Sequence, residues 1–321
     1  MKVGFIGLGN AGSKLAGSLL RNGIDLTVID LDKNLVSDFV KRGAKSENSP
    51  KEMAENCDVI ITCLPSPKAC SEVMESVNGV LEGLSKGKIW LEMSTTDEAE
   101  IRRIGALVNK AGALAIDCPV SGGCHRADTG NISIFAGCTR EAFDMVLPIL
   151  TTMGRRVLHT GGLGTASKLK VMTNYLATVN LVSIAEALTT MKSLGMDMNV
   201  TYEAIKASSG NSFVHETESQ VILNGSRDIS FTMDLVSKDI GIFYELAKRQ
   251  GLDLEVAPLI VDIFKDGEKR YGPREFSSNI IKRLEEMANV EVLGVGFPPE
   301  MIDDEPEEAG YEVIINGRQD Y

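Results

Sequence analysis

Apolar positions in the first half of the chain come in short runs, and the stretches between the runs repeat at helical spacing. Lys2–Ile6 carries Val3, Phe5 and Ile6, the pattern of a buried strand. Residues 10–22 hold Leu15, Leu19 and Leu20 and stop at Gly23, which predicts a helix with a glycine cap. Residues 26–29, 59–64, 89–93 and 114–117 predict further strands, with helices at 34–42, 67–83 and 97–112 between them. Ile132 and Ile134, then residues 156–159, add late strands. Alternation of strand and helix predicts parallel βαβ units and a doubly wound, mainly parallel α/β sheet.

The pattern changes after Gly161-Gly162-Leu163-Gly164. No proline or glycine interrupts residues 166–194, which predicts one unusually long helix. Helical spacing continues at 200–207, 233–250, 256–266 and 279–287. The expected organisation is an α/β domain at 1–163, an all-α domain at 164–297 and an acidic tail at 298–321, with the glycine cluster as hinge. Pro298-Pro299 opens the tail, and Tyr311 to Ile315 are strand-like before the turn pair Asn316-Gly317.

Composition narrows the function classes. The chain has 321 residues, 43% of them hydrophobic, enough for a full-sized core. Its net charge of −12 argues against nucleic acid, whose phosphates need a basic face. Eight acidic residues against Arg318 alone lie within 298–321, so more than half of the net charge belongs to the tail. Cys57, Cys63, Cys70, Cys118, Cys124 and Cys138 show no C-x-x-C spacing, so neither a metal nor a redox motif is expected, and reduced thiols point to the cytoplasm. The apolar start resembles a signal peptide only superficially, because Gly7, Gly9, Asn10 and Gly12 interrupt it. The most apolar long stretch carries Asn174, Asn180 and Glu186, so no membrane contact is expected.

Gly7-Leu8-Gly9-Asn10-Ala11-Gly12 is a G-x-G-x-x-G string between a predicted strand and a predicted helix. Gly7 allows the tight turn, Gly9 lets backbone approach a pyrophosphate, and Gly12 lets helix pack on strand. Asp30 closes the second strand, where a carboxylate binds ribose hydroxyls and repels a 2′-phosphate, so NAD is expected over NADP.

With these residues in place, the chain resembles the β-hydroxyacid dehydrogenase family, which includes 3-hydroxyisobutyrate dehydrogenase and tartronate semialdehyde reductase. Four motifs within residues 1–297 carry the likeness. They are the glycine loop, Asp117-Cys118-Pro119-Val120-Ser121-Gly122-Gly123, the stretch from Gly164 to Asn174, and Phe231 followed by Lys238-Asp239. Leu64-Pro65 and Ser94-Thr95 match cofactor segments. The resemblance implies a Rossmann domain, an all-helical domain, a homodimer or homotetramer, and hydride transfer between NAD and a small anionic hydroxy acid or its semialdehyde. It implies that Ser121, Gly122 and Gly123 bind the substrate carboxylate, and that Leu64, Pro65 and Thr95 contact the cofactor. Lys238 is implied near the nicotinamide, serving both substrate and cofactor.

Two lysines compete for the catalytic position. Counting from Gly162 and Gly164 selects Lys168, whose +4 residue is Met172. Counting back from Asn174 selects Lys170, which shares a helical face with that amide. Lys170 with Asn174 is therefore the expected pair, and Ala166 replaces a glycine of the family pattern. A free lysine, with a pKa of about 10.4, is a poor base until burial and neighbouring cations lower it. Arg126, alone or with His125, is a candidate to meet a second anionic group of the substrate; a solvent-facing pair is the competing reading. Ser212 and His215 are weaker candidates for the same cleft, and His159 reads as structural. Arg126, Lys170 and Lys238 together are expected to make a locally positive pocket within an acidic protein. The competing functions are an imine reductase and a non-catalytic dinucleotide-sensing module.

Overall fold

A computed structural model describes residues 1–317; residues 318–321, the end of the expected tail, lie outside the described residues. Among the described residues the chain divides into two units, one of residues 1–170 and 305–317 and the other of residues 171–304.

The first unit begins β1 (Lys2–Ile6), α1 (Asn10–Arg21), β2 (Asp25–Ile29), α2 (Lys33–Lys41), β3 (Lys45–Ser46), α3 (Pro50–Asn56) and β4 (Val59–Thr62). It continues α4 (Pro67–Glu75), α5 (Val80–Gly83), β5 (Ile89–Glu92), α6 (Glu98–Lys110), β6 (Leu114–Asp117), β7 (Val120–Ser121) and α7 (Cys124–Thr129). Then follow β8 (Ser133–Gly137), α8 (Arg140–Met153) and β9 (Arg156–Gly161). Side-chain oxygens of Asp32, Ser49, Ser66, Asp97 and Thr139 cap five of these helices. Pleating sends alternate residues of each strand to opposite faces. Val3, Phe5, Val59, Ile61, Ile89 and Leu91 pack in one core with Leu15 and Leu19 of α1, while Ile6, Ile60 and Trp90 pack in the other with Met53 and Ile104.

With a last short strand, β10 (Tyr311–Glu312), the strands pair in the order β10-β9-β8-β6-β5-β4-β1-β2-β3, with β7 beside β8. Pairing is parallel except where β8 meets β6 and β7. The chain leaves β1 for β2 on one side and returns to β4 on the other, so the loop after β1 lies at the switch point where such sheets bind ligands.

The second unit is helical, as expected. α9 (Thr165–Ser193) crosses from the first unit into it and is followed by α10 (Met198–Lys206), α11 (Phe213–Asn224), α12 (Met233–Arg249), α13 (Val256–Tyr271), a 3₁₀ turn (Ser277–Ile281) and α14 (Lys282–Ala288). Leu181, Ile184, Leu188, Val236, Ile240, Phe264 and Ile281 form its core. By length and composition, α9 is long and apolar enough to cross a membrane; Leu181, Ile184, Ala185 and Leu188 of it lie in this core.

Several expectations are corrected. The helix expected at 67–83 is broken by Asn78, at φ 61°, and Gly79 into α4 and α5. α3, α7, α8 and α11 went unpredicted. Pro148 disguises α8, whose Thr151 and Thr152 hydroxyls donate to nearby carbonyls around that proline. The unit boundary falls after Lys170 rather than at 163, because the first turn of α9 is bonded to the first unit. The tail is also no appendage. Residues 305–317 belong to the first unit, where β10 (Tyr311–Glu312) extends the sheet in parallel with β9. The Tyr311 and Val313 amides donate to Arg155 and Val157 at 2.8 Å. Gly310 makes this docking possible, since a Cβ there would lie 2.1 Å from the Gly154 carbonyl oxygen.

Candidate active site

The glycine loop has the shape its sequence predicts. Gly7 holds φ 100°, and a Cβ on it would meet the Cys63 carbonyl oxygen at 2.3 Å. A Cβ on Gly12 would lie 2.0 Å from the Gly7 oxygen, so the strand and α1 touch backbone to backbone. Gly9 faces open space, with nothing within 4 Å of its Cβ position. It begins α1 without a side-chain cap, and no acidic residue occupies the first turn, where Asn10 and Ala11 sit. A helix end with that polarity and an open cradle fits a pyrophosphate. Asp30 closes β2, and its carboxylate accepts from the Leu8 amide at 2.6 Å and the Asp32 amide at 2.8 Å. The acid therefore braces the loop it serves.

The cofactor segments Leu64-Pro65 and Ser94-Thr95 are tied together from beneath. The Leu64 amide donates to Ser94 Oγ, and the Ser94 amide to Glu92 Oε1, each at 2.7 Å. Glu92 is wholly buried, and its other oxygen receives the Thr62 hydroxyl and the Cys70 thiol. Burial pushes this carboxyl above its ordinary range. Thr62, Glu92 and Asp117 are register partners at the ends of β4, β5 and β6, so a row of buried polar groups underlies these loops.

Asp117 does the same for the expected lysine. Its carboxylate accepts the Ser167 amide and hydroxyl, both at 2.7 Å, which pins the first turn of α9 to β6. Burial drives this acid up to about 6 despite those bonds. Lys170 lies one turn further along and is 9% exposed. Lys168 is different: its side chain is 48% exposed and pairs with Glu98 at 3.3 Å.

Ser121 ends β7 opposite Ser133, and Gly122 and Gly123 follow at φ 128° and 91° before α7. The Arg126 stem packs on Gly122, 3.4 Å from its Cβ position. Its guanidinium lies 3.0 Å from Glu305. In the second unit, the Asn174 amide donates to buried Asp239 at 2.5 Å, and Lys238 Nζ lies 2.9 Å from the same aspartate. Arg126 in the first unit and Lys238 in the second are thus each paired with a carboxylate of their own unit, which weakens the field of each. Ser212 caps α11, and His215 is buried with Ser219 and the Tyr202 carbonyl as partners, so both act structurally. His159, also buried, bonds the Cys138 carbonyl.

The supporting roles of Glu92, Asp117, Asp239 and Glu305 escape a motif reading. An acid closing an otherwise apolar strand, as in Ile89–Glu92 and Leu114–Asp117, was the available signal for the first two.

Comparison with known proteins agrees with this geometry. Residues 2–161 match the NAD-binding domain of 6-phosphogluconate dehydrogenase, and residues 164–284 match the NAD-binding domain of NADP-dependent 3-hydroxyisobutyrate dehydrogenase. The chain is 31% identical to 2-(hydroxymethyl)glutarate dehydrogenase of Eubacterium barkeri, over 92% of its own length and 98% of that enzyme's. It is 31% identical to mitochondrial 3-hydroxyisobutyrate dehydrogenase of Mus musculus, covering 86% of this chain and 85% of the mouse protein. The crystal structure of 3-hydroxyisobutyrate dehydrogenase from Salmonella typhimurium superposes with a TM-score of 0.81 at 26% identity, over 88% of this chain and 99% of that one. Likeness of this extent, together with the built dinucleotide loop, places the chain in the β-hydroxyacid dehydrogenase family as a nicotinamide-dinucleotide-dependent oxidoreductase.

Proposed function

We propose that this enzyme interconverts a small β-hydroxy acid and its semialdehyde or keto acid, with NAD as the preferred dinucleotide and Lys170 as general acid and base. The observation that carries the reading is the contrast between the two lysines. Lys170 is buried and follows an anchored helical turn, whereas Lys168 is half exposed and committed to Glu98. A proton-transfer group must be held in place and shielded from water, and only Lys170 meets both conditions. The relatives named above act, by their names, on hydroxymethylglutarate and hydroxyisobutyrate, which supports a hydroxy acid substrate.

When bound, the nicotinamide supplies the hydride acceptor. The chain's residues do the rest. Lys170 takes the hydroxyl proton during oxidation and returns it during reduction. Ser121 donates its hydroxyl, and Gly122 and Gly123 their N–H groups, to the substrate carboxylate. Asn174, its amide oriented by Asp239, holds the substrate hydroxyl. The carboxylate of Asp30 disfavours a 2′-phosphate, which supports NAD over NADP. Six cysteines held as thiols rather than disulfides support a reducing, cytoplasmic setting, and the family likeness supports a homodimer or homotetramer.

The test is a panel of hydroxy acids (3-hydroxyisobutyrate, tartronate, threonate, 4-hydroxybutyrate and sulfonated analogues) with NAD and NADP, followed by nicotinamide absorbance. Lys170→Ala should lower kcat by about 10²–10⁴, the usual worth of a general base, and Lys168→Ala should change it no more than a few-fold. The reverse order, or no turnover of any hydroxy acid, refutes the proposal.

A further inference from the structure

We infer that Glu305 is a positioning residue for the loop at 121–123, so that the acidic C-terminal segment belongs to the substrate-binding apparatus. This rests on the reading of that loop as the carboxylate site. The loop's two glycines hold positive φ, so their N–H directions depend on what fixes the residues beside them. The flank after the loop is α7, a helix of six residues. Its far end is held from α1, because Lys14 lies 3.2 Å from Asp128 and Arg21 donates to the Asp128 carbonyl. Its near end is held by the C-terminal segment. Arg126, packed on Gly122, meets Glu305 Oε1 at 3.0 Å.

Glu305 is itself fixed. Arg156 of β9 grips both of its carboxylate oxygens, at 3.0 and 3.1 Å. The Asn131 side chain donates to its backbone carbonyl at 2.9 Å. Beyond it, the Arg155 guanidinium reaches the Pro306 carbonyl and Glu308, and Arg140 grips Glu312. One carboxylate thus clasps α7 to β9 through two arginines, and the two-point grip of Arg156 fixes its orientation as well as its distance. Arg126, which the sequence offered to a second substrate anion, is placed against an internal one.

The test uses the full-length protein. Glu305→Gln keeps the shape and removes the charge. Glu312→Gln, on the same segment but paired with Arg140, is the control. Hydrogen exchange reads the amides of 121–131, and steady-state kinetics with 3-hydroxyisobutyrate reads the KM values for acid and NAD. Glu305→Gln should speed exchange in 121–131 and raise the acid KM about fivefold, the loss expected of a partly exposed charge-assisted clasp, with kcat and the NAD KM within about twofold. Glu305→Asp should restore part of the effect, and Glu312→Gln should show none. Unchanged exchange and KM in Glu305→Gln, or an equal rise in Glu312→Gln, overturns the inference. Ser121→Ala separates the two claims. If it leaves the acid KM unmoved, the carboxylate-site reading fails and takes this inference with it. If it raises that KM while Glu305→Gln does not, the inference alone fails.

Discussion

Asp117→Asn should stabilise the protein at pH 8 and destabilise it at pH 4. The carboxyl is wholly buried, and burial raises it from 3.8 to about 6 against the two bonds from Ser167. Because the folded-state value is raised, the folded protein holds this proton more tightly than the unfolded chain. Its stabilising contribution is therefore complete below about pH 4 and is lost as pH rises through 6. At 1.36 kcal/mol per unit, the shift amounts to roughly 3 kcal/mol between those limits. Asparagine has the same shape and nothing to titrate, so this loss disappears. It also replaces one of the two acceptors facing Ser167 with a donor, at a cost of roughly 1–2 kcal/mol. The variant should consequently lie about 1–2 kcal/mol above the parent at pH 8 and as far below it at pH 4. Trp90, the single tryptophan, is buried in the neighbouring strand β5 and reports unfolding of this unit in urea. Contributions from acids remote from Asp117 cancel in the difference between parent and variant. A difference that stays constant across this pH range refutes the reasoning.

Two further substitutions probe the scaffold. Gly12→Ala would set a methyl group 2.0 Å from the Gly7 oxygen, so α1 must retreat from the sheet; NAD affinity, read by NADH fluorescence titration, should fall at least about tenfold. Glu92→Ala strips the Ser94 amide and the Thr62 hydroxyl of their buried acceptor and opens a cavity, which should cost about 2–4 kcal/mol in urea unfolding, while Glu92→Gln should recover most of it.

What the sequence determined by itself was whatever depends on near neighbours. The strand, glycine loop and helix from Lys2 to Arg21 were legible because φ freedom, helix spacing and strand pleating all act within a few residues. That Lys170 and Asn174 share one helical face was legible for the same reason, since a four-residue step is a property of any α-helix. Tertiary structure decided the rest. Acid-rich residues around 305 read as a solvated tail, yet their carboxylates meet Arg126, Arg140, Arg155 and Arg156, residues far back in the chain. The strand-like residues from Tyr311 marked β10 as extended, but only the fold shows that its partner is β9. The pairings Glu305 with Arg126 and Asp239 with Lys238 also changed the electrostatics, because a cation's field depends on the carboxylate folded against it. Glu92 and Asp117 became supports only when parallel pairing set them side by side at the ends of β5 and β6.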